Sequence, residues 1–197
     1  WETPLGDVPV DEELAASLIR EGRGLVRADT FPHEREHAVE LHLPFLKHHR
    51  GDVRVVPVVV AVDREEELAA LGEALARAVR SRPHPVLLVA SSDMNHFEPA
   101  SVAARKDRLA LDRVLALDPA GLSRVVASER VSMCGVRPTA AALHAAVGLG
   151  ARGAELVRYG HSGEVSGDDA SVVGYAGVVI RGVEAGASSI CSSQSRR

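Results

Sequence analysis

The sequence predicts an α/β fold, a sheet with helices on both faces, and three observations carry that prediction. Branched apolar runs at Val53–Val62 (VRVVPVVVAV) and Val86–Ala90 (VLLVA) suit strands covered on both sides. An amphipathic stretch separates them, Arg64–Arg82, with Leu68, Leu71, Leu75 and Val79 on one helical face. Further helical and strand-like segments then follow in turn, which is the pattern of helices layered on a sheet. With 197 residues, 46% hydrophobic and 25% charged, the chain can bury a core without disulfide staples. One domain over residues 1–182 is expected, followed by a tail at 183–197 whose small, polar composition is that of a disordered end.

Taken in order, Asp11 caps a helix with Leu14, Ala15, Leu18 and Ile19 on one face, ended by Gly22 or Gly24. His33–His49 carries a helical stripe of Val39, Leu43 and Leu46 that Pro44 must bend or interrupt. Pro57 marks a bulge or edge in the first strand. Pro83 and Pro85 stop the long helix and launch the central strand Val86–Ala90. Pro99 occupies the first turn of a helix running to about Leu117, and Asp118-Pro119 starts a shorter one through Leu122, Val125 and Val126. The loop Ser132–Pro138 leads into an Ala-rich helix, Thr139–Val147, broken by Gly148 and Gly150. Glu155–Tyr159 and Ser171–Ile180 read as two more strands joined by a Gly, Ser and Asp-rich loop.

Bulk properties narrow the function classes. A net charge of -4, with Lys and Arg scattered among acids, gives no electrostatic footprint for nucleic acid. No apolar stretch has the length of a membrane span. Two distant cysteines, Cys134 and Cys191, make a disulfide framework improbable and point to a reducing, cytoplasmic compartment. The chain opens WETPLGD, which reads like the middle of a loop, so a preceding segment is expected.

The chemistry-bearing residues concentrate where the central strand ends, at SSDMNHFEP. Asp93 and His96 lie three residues apart on a tight turn at a strand's carboxyl edge, the place where open α/β sheets bind ligands. Cys134 sits between a loop and a helix start, with Gly135 allowing close backbone approach and Arg137 lending positive charge. Such surroundings favour a thiolate, the form that binds metal or attacks carbon; the plainer reading is a small buried filler. His33-Glu34-Arg35-Glu36-His37 satisfies the H-E-x-x-H zinc pattern, yet follows Pro32 directly and has no convincing third ligand. His161 follows a strand beside Ser162 and Gly163 and draws attention for that reason.

Five collinear stretches, WETPLGDVPVD at 1–11, EHAVELHLPFL at 36–46, VASSDMNHFE at 89–98, MCGVRPT at 133–139 and YGHSGEVSGDDASVVGYAG at 159–177, resemble the Memo family, also called protein B of the AmmeMemoRadiSam system. The resemblance implies a mixed β-sheet flanked by helices, similar to class III non-haem iron extradiol dioxygenases, with a pocket at strand ends. It implies a metal ion, iron or copper before zinc, held in the family by two histidines and a cysteine. Cys134 matches that cysteine, Asp93 and His96 match the nearby catalytic pair, and Glu36, His37, Arg137 and His161 fall around them in supporting positions. The family's two ligand histidines lie upstream of the W-x-T-P-L stretch, so weak metal retention by this chain is expected. Implied partners are a radical SAM protein, another AmmeMemoRadiSam component, and a small-molecule or peptide ligand. The implied function is a metal-associated, dioxygenase-like redox protein. Two alternatives stand beside it: a non-catalytic peptide- or protein-binding module using the same pocket, and a zinc hydrolase built on HEREH.

Overall fold

A computed structural model describes residues 1–182; the expected tail at 183–197, with Cys191, lies outside the described residues. The α/β class holds: seven α-helices and three strands follow one another among the described residues. α1 (Glu12–Glu21) starts where Asp11 accepts a hydrogen bond from the Leu14 N–H at 2.9 Å, with Glu12 and Glu13 in its positive first turn. α2 (Leu43–His49) and α3 (Glu65–Arg80) follow, then β1 (His96–Glu98) and α4 (Ala100–Leu115). α5 (Pro119–Ser128) is capped by Asp118, which accepts from the Gly121 N–H at 2.8 Å. α6 (Val136–Gly148), β2 (Gly153–His161), a single turn α7 (Gly163–Ser166) and β3 (Val172–Arg181) complete the order.

The hydrogen-bonded sheet is antiparallel, in the order β1-β3-β2, with β3 paired to β2 from Gly174 to Arg181 and to β1 only at Val172 and Val173. Its covered face meets α4, α5 and α6: Leu156, Tyr159, Ala176, Val178 and Ile180 pack on a cluster that includes Met94, Leu111, Val114, Leu122 and Leu143. Along β3 the alternate residues Tyr175 and Val179 point to the other, exposed face. Helices therefore cover one face of this sheet among the described residues, where the sequence predicted both. Behind α6, α3 and α1 form further layers through Leu68, Leu71, Ala74, Ala140 and Leu18.

Three predicted elements differ. Among the described residues Val53–Val62 makes no ladder, and its one bridge there is a parallel pairing of Val55 with Val10. Val86–Ala90 likewise joins no described strand, because an apolar run specifies a face to bury and says nothing of whether a neighbouring backbone is present to pair with. The predicted helix His33–His49 shrinks to a 3₁₀ turn at Phe31–His33 and the short α2. Pro44, lacking an N–H, sits in the first turn of α2, and upstream the Glu36 carboxylate accepts from the Ala38 and Val39 N–H groups in place of helical carbonyls.

Candidate metal centre

The turn that precedes β1 is held from several sides. Met94 N–H donates to the Gly174 carbonyl and Gly174 N–H to the Asn95 carbonyl, each at 2.9 Å, which ties the turn to β3. Asn95 is fully buried, so its amide must find partners inside. Its backbone N–H donates to Asp107 Oδ1 at 2.7 Å, and its Nδ2 donates to Glu98 Oε2 at 2.5 Å. Its Oδ1 accepts from the backbone N–H and hydroxyl of Ser132 at 3.1 and 3.2 Å. Ser132 Oγ in turn accepts from the His96 N–H at 2.7 Å. The loop before Cys134 is thereby fastened to the residue whose imidazole the site uses.

Electrostatics beneath the turn are arranged around Asp107, which is also fully buried. Burial raises its carboxyl above the ordinary aspartate range, against the opposing pull of the Tyr159 hydroxyl, which donates to Oδ2 at 2.7 Å, and of the Asn95 amide. Tyr159 is itself driven up by burial and by this carboxylate. Glu98 goes the other way: the Lys106 ammonium, and then the Asn95 amide, hold it below the usual glutamate range. Gly174 leaves room for Asp107, since a Cβ there would fall on the carboxylate and 3.1 Å from the Met94 Cβ.

Above this support, Asp93, His96 and Cys134 each present one ligand atom, and the three atoms lie within 4.8 Å of one another. His96 Nε2 is 3.5 Å from Asp93 Oδ2, and Cys134 Sγ accepts from the Asp93 N–H at 3.2 Å. Gly135 permits that approach: its N–H donates to Ser92 Oγ at 2.8 Å, and a Cβ would stand 2.5 Å from the Ser92 Cβ. Phe97, next along, carries a positive φ of 58°, and its exposed ring lies 5.6 Å from the His96 ring. A bulky residue in that region of backbone space stores strain, a feature that concentrates at functional sites.

The donor set fits a metal ion. Bonds of about 2.0–2.3 Å in a tetrahedral site place donors roughly 3.3–3.8 Å apart, so the His96–Asp93 separation of 3.5 Å already matches, and the sulfur lies within 4.8 Å of both. One thiol, one imidazole and one carboxylate suit borderline divalent ions and leave a fourth position open.

The other predicted positions fall elsewhere. Arg137 reaches Asp63 at 3.7 Å, so its charge is engaged on the α3 side of the loop. Glu36 caps the backbone at 38–39, and His37 is exposed. His161 ends β2 opposite Gly174, with Nδ1 buried, 3.8 Å from Asp169 Oδ1 and without a hydrogen bond to any described residue. HEREH lies outside any α-helix, so His33 and His37 do not share a helical face; the His33 ring meets the Trp1 ring edge-on at 6.1 Å. Sequence reasoning missed His42, whose Nε2 lies 3.1 Å from Ser91 Oγ and touches the turn directly. Its place beside buried Leu43 at the start of α2 was the available signal.

Comparison with known proteins places the chain in a family. A family model described as Memo-like protein matches residues 1–179. A MEMO1 family protein of Methanopyrus kandleri is 42% identical over 182 residues, covering 92% of this chain and 64% of the relative. MEMO1 family proteins of Methanothermobacter thermautotrophicus and Pyrobaculum arsenaticum are each 40% identical, over 89% and 91% of this chain and 63% of their own length. The chain thus spans a little under two thirds of these relatives, and by match and identity it belongs to the Memo-like family.

Proposed function

We propose that this protein is a metal-associated member of its family in which Asp93, His96 and Cys134 hold one divalent ion, iron or copper before zinc. The observation that carries this reading is the meeting of three chemically different donors within 4.8 Å, the cysteine coming from a loop some forty residues away in sequence. When bound, the ion supplies Lewis acidity and, if iron or copper, one-electron chemistry. The chain's own contribution is placement. Asn95 and Ser132 fix the backbone of His96, Gly135 lets the thiol approach, and half-exposed Asp93 offers a carboxylate at the open side. Redox turnover at a dioxygenase-like pocket in the cytoplasm, with a radical SAM protein and another AmmeMemoRadiSam component as partners, is the function this reading favours.

Cobalt(II) titration of the metal-free protein tests the site. A weak one-to-one complex with a thiolate-to-metal absorption band is expected, in keeping with only three donors from this chain. Cys134→Ser should abolish the band, and Asp93→Asn and His96→Ala should each weaken binding about tenfold or more. Undiminished binding by Cys134→Ser removes the site. Oxygen consumption by the iron- or copper-loaded protein, lost in Cys134→Ser, tests the redox reading separately.

A further inference from the structure

In the stretch 36–46 Glu36 is engaged by the backbone at 38–39 and His37 is exposed; His42 is the residue that meets the site. Its imidazole is partly buried, with Nε2 3.1 Å from Ser91 Oγ, a residue 49 positions away in sequence. Its backbone is held on both sides. The His42 N–H donates to the Val39 carbonyl, and the His42 carbonyl accepts from the Leu46 N–H, each at 3.0 Å. Leu43, the next residue, is fully buried and fixes the start of α2. An imidazole on so restrained a backbone has few rotamers open to it, which lowers the entropy lost in pairing with the serine.

Ser91 opens the tripeptide against which Cys134 is seated. Its carbonyl faces Gly135 so closely that a Cβ there would collide with it. Ser92 Oγ accepts from the Gly135 N–H at 2.8 Å, and the Asp93 N–H donates to Cys134 Sγ at 3.2 Å. Each of residues 91–93 thus touches the 134–135 loop. Immediately beyond, the Met94 and Gly174 N–H groups tie the turn to β3. Among the described residues, His42 is the one side chain from outside the 91–96 turn and the Cys134 loop within hydrogen-bond distance of residues 91–93.

We infer that His42 is a positioning residue of the metal centre, acting through Ser91 to hold the 91–93 backbone where the Asp93 N–H meets the Cys134 sulfur. This rests on the reading of Asp93, His96 and Cys134 as ligands. It requires no change of charge on the imidazole, since Nε2 can donate to the serine hydroxyl or accept from it according to the tautomer. Residues that orient ligands without touching the ion govern affinity nearly as strongly as the ligands do.

The test is amide exchange in the metal-free protein together with cobalt(II) titration. His42→Ala should speed exchange of the Asp93 and Gly135 amides about tenfold, leave the Met94 and Gly174 amides unchanged, and weaken cobalt binding about tenfold. His42→Gln, whose terminal amide can also donate or accept, should restore both readouts. Ser91→Ala should reproduce the His42→Ala result, and the double variant should add nothing to it. Unchanged Asp93 and Gly135 exchange in His42→Ala overturns the inference. So does equal acceleration at Met94 and Gly174, which makes His42 a general prop for the turn; so do additive effects of the two alanines or failure of His42→Gln to restore the site. Undiminished cobalt binding by Cys134→Ser removes the metal reading instead, and the exchange measurement, made without metal, still decides whether His42 places the thiol.

Discussion

Asn95→Ala is the sharpest test of how the centre is built. The side chain is fully buried and makes three hydrogen bonds, one donated to the Glu98 carboxylate and two accepted from Ser132. The charge-assisted bond is worth about 1.5–3 kcal/mol and the other two about 1 kcal/mol each, and truncation also leaves the Ser132 N–H without its acceptor. The expected loss is therefore about 3.5–5 kcal/mol in urea unfolding at neutral pH, about 10–15 °C in melting temperature for a domain of this size. Because Ser132 also receives the His96 N–H, cobalt(II) affinity should fall along with stability, by about tenfold. A double-mutant cycle with Ser132→Ala should show coupling of about 1 kcal/mol or more, since the two side chains share bonds. Loss of less than about 1 kcal/mol with unchanged cobalt affinity would refute the argument that this amide organises the turn.

Further outcomes follow from the same geometry. Gly135→Ala should separate the Cys134 loop from the Ser91–Asp93 turn, weakening cobalt(II) binding while the helical circular dichroism signal is retained; an unaltered charge-transfer band would contradict it. Leu122→Ala, at a fully buried core position of α5, should cost about 2–5 kcal/mol in urea unfolding with little effect on metal affinity. Asp107→Asn should cost about 1–2 kcal/mol, because one amide oxygen cannot accept from both Tyr159 and Asn95. Since burial raises the Asp107 carboxyl, its contribution is full below the ordinary aspartate range and is lost as pH rises through the raised folded value. The stability difference between wild type and Asp107→Asn should accordingly shrink as pH rises through that window, and a growing difference would reverse the assigned cause.

What the sequence determined by itself is what is local. Asp11 and Asp118 cap helices because a short side-chain oxygen reaches an orphan N–H three residues on, and the stripes of α1, α3 and α6 bury as their periods require. The Asp93/His96 turn was legible as a place, through the abrupt change from apolar to polar residues after Ala90. Tertiary structure decided what depends on approach between distant segments. It brought Cys134 against the Asp93 amide, turned Arg137 toward Asp63, and put His42 rather than His37 beside the turn. It also left Val56–Val62 and Val86–Ala90 outside any ladder among the described residues. The reason is the same in each case: a side-chain pattern records which face will be covered, whereas a ligand set or a strand pair needs two stretches of backbone to arrive at one point, and only the packing of the whole chain sets that distance.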